Sequence, residues 1–163
     1  MENLLDEILL AESLTYETNV DVVKEWEKDV YIVEGDQRKL KQVFLNLVKN
    51  ATEAMEHQGT LILRMHRTTP PDSTASHVVV EIVDTGPGIP GDVQKEIFDP
   101  FYTTKESGTG LGLAISKKII SAHNGKIFLK GSGDSGTTFK IMLPESWKSA
   151  EKGRKNMADS NVQ

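Results

Sequence analysis

The sequence predicts an α+β domain: a two-layer α/β sandwich with a mixed sheet and three main helices. Two observations carry this. Segments of helical and strand periodicity are interspersed along the chain, without the regular βαβαβ rhythm of a doubly wound fold. The two clearest strand signals also differ in kind. Residues 60–67 alternate as a one-sided strand does, whereas 78–84 are a near-continuous apolar run suited to the middle of a sheet. A length of 163 residues accommodates one such domain with a tail.

Taken in order, Leu4, Leu5, Ile8 and Leu9 recur at helical spacing, so residues 1–12 read as a short amphipathic helix. It is too short to stand alone and must continue or pack against something. Val20, Val22 and Trp26 alternate like a strand, and 30–33 reads as a second one after Lys28-Asp29. Gly35-Asp36 opens the strongest helix. Asp36 is a good N-cap, and Leu40, Val43, Phe44, Leu47, Val48 and Ala51 form a continuous apolar stripe that ends at His57-Gln58-Gly59. The 60–67 strand puts Leu61, Leu63 and Met65 on one face; TTPPDSTAS (68–76) is a loop, and the apolar strand 78–84 follows. Glycine and proline dominate 86–91. A short helix is expected over 92–97, then an irregular stretch over 98–109. Residues 110–123 read as helix stopped by Asn124-Gly125, and 127–130 with 137–143 as a closing pair of strands. From Lys148 the chain is polar, with four basic residues against two acidic, and a disordered tail is expected. The expected organisation is therefore an N-terminal helix (1–12), a domain (13–147) and a tail (148–163).

Composition narrows the function. Nineteen basic against 24 acidic residues give a net charge of −5, unlike a nucleic-acid binder or a polybasic membrane-surface protein. With no cysteine there is no disulfide framework, thiolate metal site or cysteine nucleophile, which fits a reducing compartment. No apolar run approaches the length of a membrane span, and MENLLDEILLAES is too acidic for a secretory signal. A monomeric, cytoplasmic domain is expected, touching neither nucleic acid nor membrane.

Three constellations can carry chemistry. Gly108-Thr-Gly110-Leu-Gly112-Leu runs into a helix, where bare backbone and a helix N-terminus can meet a phosphate. It is neither a Rossmann turn, lacking the preceding strand, nor a P-loop, lacking Gly-Lys-Ser/Thr. Asp84-Thr-Gly86-Pro-Gly88-Ile-Pro90 places a carboxylate at the end of a buried strand, able to accept a hydrogen bond from an exocyclic amine such as adenine's. Asn46 and Asn50 stack at i, i+4 beside the apolar stripe, and their amide oxygens suit a hard cation such as Mg²⁺. Singly, each has a plain alternative: a flexible loop, an aspartate in a tight turn, an exposed polar edge.

Together, in this order, the motifs resemble the N, G1, F and G2 boxes of sensor histidine kinases. These are the ATP-binding catalytic domains of the GHKL superfamily, which also includes gyrase and a heat-shock chaperone. The segments are DQRKLKQVFLNLVKNATEAM, DTGPGIP, IFDPFYTTK and GTGLGLAISKKIISAHNG, closed by GDSGTTFKIMLP, and cover about residues 30–144. The short lid between FYTTK and GTGLGL looks most like that of nitrogen-regulation and sporulation sensor kinases. The resemblance implies a Bergerat-type ATP-binding fold with ATP and Mg²⁺ as ligands. Asn50 would hold the Mg²⁺, helped by Asn46, and Lys105 would be a mobile cation facing the terminal phosphates. Asp84 would receive the adenine amine, with Thr137 sharing a water. Gly86 and Gly88 would shape the pocket floor, and Gly108, Gly110 and Gly112 would cradle the phosphates. Ile89, Phe101, Thr109, Leu111 and Leu113 complete the implied nucleotide set, and Phe98 with Phe101 would anchor the lid.

One position separates branches of the superfamily. Gyrase-like ATPases, and the related serine kinases, resemble this pattern but carry a glutamate base where this chain has Asn46, and an amide cannot take a proton. A histidine acceptor needs no such base, because imidazole is already nucleophilic at neutral pH. None of the four histidines (57, 66, 77, 123) lies in an acceptor motif, so the partner implied is a separate dimerisation domain bearing the phosphoacceptor histidine and, through it, a response regulator. The N-terminal helix would be the end of that domain or the linker from it. Two alternatives stand beside phosphotransfer to histidine: a GHKL-type ATPase using Glu53 as base, and a non-catalytic nucleotide-binding module. His57 and His123 are expected to close helices, and Trp26 and Trp147 to pack at the core or its edge.

Overall fold

The structure, a computed structural model, describes residues 1–15, 19–26, 31–71, 74–105 and 108–146. Three helices, α1 (Glu2–Thr15), α2 (Gln37–Ala54) and α3 (Gly112–Ala122), accompany five strands. The strands are β1 (Asn19–Trp26), β2 (Gln58–Thr68), β3 (His77–Asp84), β4 (Lys126–Gly133) and β5 (Gly136–Pro144), in the order β1-β2-β3-β5-β4. β1 runs parallel to β2 and every other pairing is antiparallel, so the sheet is mixed and β3, the apolar strand, is central. The residues expected in the tail, and Trp147, lie outside the described residues.

The two faces of the sheet differ because residues alternate across it. Leu61, Leu63 and Met65 of β2, Val78, Val80 and Ile82 of β3 and Phe139, Ile141 and Leu143 of β5 face the helices and are buried. Leu40, Val43, Phe44, Leu47, Val48 and Ala51 of α2 meet them, and α1 adds Leu4, Leu5 and Ile8. On the opposite face one register row reads Glu25, Arg64, Glu81, Lys140, Phe128, with alternating charges on neighbouring strands. Arg64 pairs with Glu25 at 2.6 Å and Lys130 reaches the buried Glu81 at 2.9 Å. A sheet with one apolar and one ionic face needs helices on one side only, which makes two layers.

Asp36 caps α2, its side chain accepting from the N–H groups of Arg38 (2.9 Å) and Lys39 (3.1 Å). His123 at the end of α3 accepts the Asp36 N–H through Nε2 at 3.0 Å, tying the start of one helix to the end of the other. α1 continues beyond residue 12 to Thr15 and packs on α2, with Lys24 of β1 paired to Asp6, Lys41 of α2 3.0 Å from Glu7, and Trp26 Nε1 donating to Glu2 at 3.1 Å.

Two expected elements are absent among the described residues. Over 31–33 there is no strand, only a single bridge from Val33 to Glu145. The carbonyls there are taken singly, Tyr31 O by the N-terminal amine at 2.8 Å and Ile32 O by Ser146 N–H at 2.8 Å, so no ladder remains to be built. Over 92–97 there is no α-helix but a chain of four-residue turns, with the N–H groups of Val93, Glu96 and Asp99 donating to the carbonyls of Pro90, Val93 and Glu96. Pro90 and Pro100 bracket a stretch too short for a helical ladder to repay its nucleation.

Candidate functional site

Asn46 and Asn50 lie one turn apart on α2 as their spacing requires, but their amides have different partners. Asn46 Nδ2 donates to Ser116 Oγ at 3.1 Å, and that hydroxyl donates to the Gly112 carbonyl at 2.9 Å. Asn46 therefore fixes the first turn of α3 against α2. Gly112 lies so close that a Cβ there would strike the Asn46 amide. Asn50 turns its Oδ1 toward the lid: Lys105 Nζ stands 3.4 Å away. The same ammonium forms an ion pair with Glu53 Oε2, while Glu53 Oε1 is 3.7 Å from Lys49 Nζ.

Asp84 and Thr137 are register partners on β3 and β5, on the helix-facing side at the end of the sheet. The Asp84 carboxylate is 3% exposed, and Oδ1 accepts from the N–H groups of Gly86 (2.9 Å) and Thr137 (3.2 Å). Burial pushes its carboxyl above the ordinary aspartate value, and those two N–H groups pull against that push. Both donors fall on Oδ1, which leaves Oδ2 for a ligand. Ser132 fastens the floor: its Oγ accepts from Ile89 N–H at 2.5 Å and lies 3.3 Å from Thr137 Oγ1. Gly88 runs beside the backbone of Gly133.

Phe98 sets its edge against Phe139 at 6.2 Å between ring centroids, under the ammonium of Lys117. Phe101 does not share the anchoring expected of the pair: it is 75% exposed, with φ +69°. Its N–H donates to the Gly110 carbonyl at 2.9 Å, and Gly110 has φ +66°, a left-handed conformation that glycine takes without strain. Gly108 N–H reaches back to Lys105 O at 3.2 Å; Thr109 is exposed and Leu113 half-buried. Leu111 stands at the N-cap of α3 and offers no side-chain cap, so the capping side chain does not compete with a ligand for the amides of this turn.

α2 brings the three motifs together. A Cβ on Gly86 would lie 3.2 Å from the Ala54 carbonyl, so along one stripe Asn46 meets the start of α3, Asn50 the lid and Ala54 the DTGPG loop. Residues four and eight apart on a helix share a face, and three loops distant in sequence converge on this one.

The family model described as histidine kinase-, DNA gyrase B-, and HSP90-like ATPase matches residues 35–146, which contain all three loops. The chain belongs to this ATPase family. Among curated relatives of this chain, the sensory histidine kinase/phosphatase NtrB of Rhodobacter capsulatus is 40% identical over 151 residues, covering 88% of this chain and 42% of NtrB. The chain thus spans under half the length of that relative. Among solved structures, the catalytic domain of histidine kinase ThkA, in a nucleotide-free form, superposes with a TM-score of 0.74 at 35% identity, covering 88% of this chain and 93% of that one. ThkA in complex with the response regulator protein TrrA superposes at 0.71 with 32% identity, covering 90% and 40%.

Sequence reasoning missed Ser116 and Ser132. Ser116 had a local signal, since a serine four residues after Gly112 can bond that carbonyl. Ser132 had none before the β4–β5 register was known.

Proposed function

We propose that this chain is the catalytic domain of a sensor histidine kinase. In this reading it binds Mg·ATP and passes the γ-phosphate to a histidine on a separate dimerisation domain, which in turn serves a response regulator. The observation that carries it is the absence of an available base beside Asn50 on α2. Asn46, one turn before Asn50, is an amide committed to Ser116, and Glu53, one turn after it, has the Lys49 ammonium 3.7 Å from Oε1 besides any hold on Lys105. Water or serine as acceptor would need a carboxylate free to take a proton; imidazole does not.

The residues present fit the nucleotide and the metal. Asp84 offers a buried carboxylate with one oxygen unengaged, shaped to accept an amine hydrogen bond. The glycine-rich turn offers uncapped amides at a helix start. Asn50 Oδ1 already faces a cation, the Lys105 ammonium, in the position assigned to Mg²⁺. When bound, Mg·ATP supplies the phosphoryl group, its leaving group and charge neutralisation. The chain supplies orientation: Asp84 and Thr137 fix the base, the 108–113 turn holds the phosphates, and Asn50 holds the metal. Asn46 positions that turn rather than touching the ligand. Catalysis is then positioning plus electrostatics, with no proton taken from the acceptor by this domain. α1, before the matched family region, is read as the end of the dimerisation domain or the linker from it, and the domain as cytoplasmic.

Calorimetry with ATP and Mg²⁺, paired with transfer of labelled phosphate to a supplied dimerisation-domain fragment, tests this. The expected product is acid-labile and base-stable, and Asn50→Ala abolishes Mg²⁺-dependent binding while leaving the circular dichroism spectrum intact. Binding unchanged in Asn50→Ala overturns the site, and steady phosphate release lost in Glu53→Ala overturns the kinase reading in favour of an ATPase.

A further inference from the structure

Lys105 has two partners on α2. Its Nζ stands 3.4 Å from Asn50 Oδ1 and is ion-paired with Glu53 Oε2, one turn further along the helix. Lys49 lies 3.7 Å from the other Glu53 oxygen, so Glu53 is held from both sides. A tethered cation thus sits on the oxygen assigned above to Mg²⁺. Its position conflicts with the role given to Lys105 in the nucleotide complex: one ammonium cannot rest on Asn50 and Glu53 and also face the terminal phosphates of a Mg²⁺-bound ligand.

We propose that Glu53 is a positioning residue that latches Lys105 onto α2, so that the terminal phosphates of a nucleoside triphosphate must take Lys105 from Glu53 in order to bind. This rests on the nucleotide reading above. The latch stabilises the nucleotide-free protein and so lowers affinity for any ligand that recruits Lys105. A diphosphate lacks the γ-phosphate that would draw Lys105 off Glu53: its Mg²⁺ takes Asn50 Oδ1 from the ammonium, but the Glu53 ion pair stays closed and does not alter its affinity. The pair is partly exposed, with Lys105 43% and Glu53 31% accessible, which places the effect among surface ion pairs. Its release is therefore worth about a two- to fivefold change in affinity.

The test is a double-mutant cycle on the whole chain, read by calorimetry with ATP and with ADP, each with Mg²⁺. Glu53→Gln keeps the shape of the side chain and removes its charge. It is expected to tighten ATP about two- to fivefold, to leave ADP unchanged, and to tighten nothing in a Lys105→Gln background. Equal tightening in both backgrounds is the general effect of removing a negative charge near phosphates, and overturns the latch; so does no tightening in either. Hydrogen exchange of residues 101–105 in the nucleotide-free protein gives a second reading. Faster exchange in Glu53→Gln supports the latch, and unchanged exchange overturns it. If the wild-type chain binds neither nucleotide, the proposed function falls, and the exchange measurement alone still decides whether Glu53 holds Lys105.

Discussion

Gly112 packs so closely on Asn46 that no side chain fits between them. A Cβ placed on Gly112 would lie 3.1 Å from both Asn46 Cγ and Asn46 Nδ2, and closer still to Oδ1. All atoms of the amide group are met at once, so rotating its end gives no relief and the side chain must swing away from Ser116. Gly112→Ala therefore adds the cost of overpacking, about 1–3 kcal/mol, to the loss of the Asn46–Ser116 hydrogen bond, about 1 kcal/mol. Against these stands the better helix propensity of alanine, at most about 1 kcal/mol and less at the first helical position. The net loss is about 2 kcal/mol, which for a chain of this length lowers Tm by about 4–8 °C. Scanning calorimetry or urea unfolding measures it. Asn46→Ala removes the obstructing amide, so adding Gly112→Ala in that background costs only about a few tenths of a kcal/mol. A Gly112→Ala penalty of the same size with and without the Asn46 side chain refutes the steric argument.

Asp36→Ala removes the acceptor of the Arg38 and Lys39 N–H groups and is expected to destabilise the fold by about 1 kcal/mol, seen as a lower urea midpoint at unchanged m-value; Asp36→Ser should recover most of it. Glu12 on α1 is buried, its Oε2 without a hydrogen-bond partner, and burial raises its carboxyl above the ordinary glutamate value while Lys49 pulls it back. A raised folded-state value means that the stability owed to this group is complete below the unfolded-state value and is lost as pH rises through the folded one. Glu12→Gln should thus be more stable than wild type at neutral pH and flatten that decline; unfolding midpoints that fall in parallel for the two proteins from about pH 4.5 to pH 8 count against it.

Much of the fold was legible because local periodicity encodes which face is buried. The stripe from Leu40 to Ala51 and the cap at Asp36 located α2, and the apolar run of β3 located the sheet centre. The segments at 31–33 and 92–97 were misread because each has a short local pattern that could have served an element. The backbone partners of 31–33 lie as far away as Met1, Glu145 and Ser146, whereas 92–97 is bracketed by Pro90 and Pro100, too short a run for a helical ladder. The site divides in the same way. Glycines and Asp84 are recognisable by type and order, but the commitment of Asn46 to Ser116, 70 residues on, and of Lys105 to Glu53, 52 residues back, is a product of packing. No local pattern distinguishes an asparagine that binds a ligand from one that braces a helix.

The single parallel pairing of the sheet has a mechanical meaning. β1 reaches β2 only by way of α2, whereas the four strands from β2 to β4 close on one another antiparallel. α1 and β1 therefore form a handle outside the matched region 35–146, fixed to the body by Leu4, Leu5 and Ile8 against α2, by Glu7 on Lys41 and by Glu25 on Arg64. This unit is joined to the body through both layers, α1 on α2 and β1 on β2, and α2 is the helix on whose one stripe the helix start, the lid and the DTGPG loop all bear.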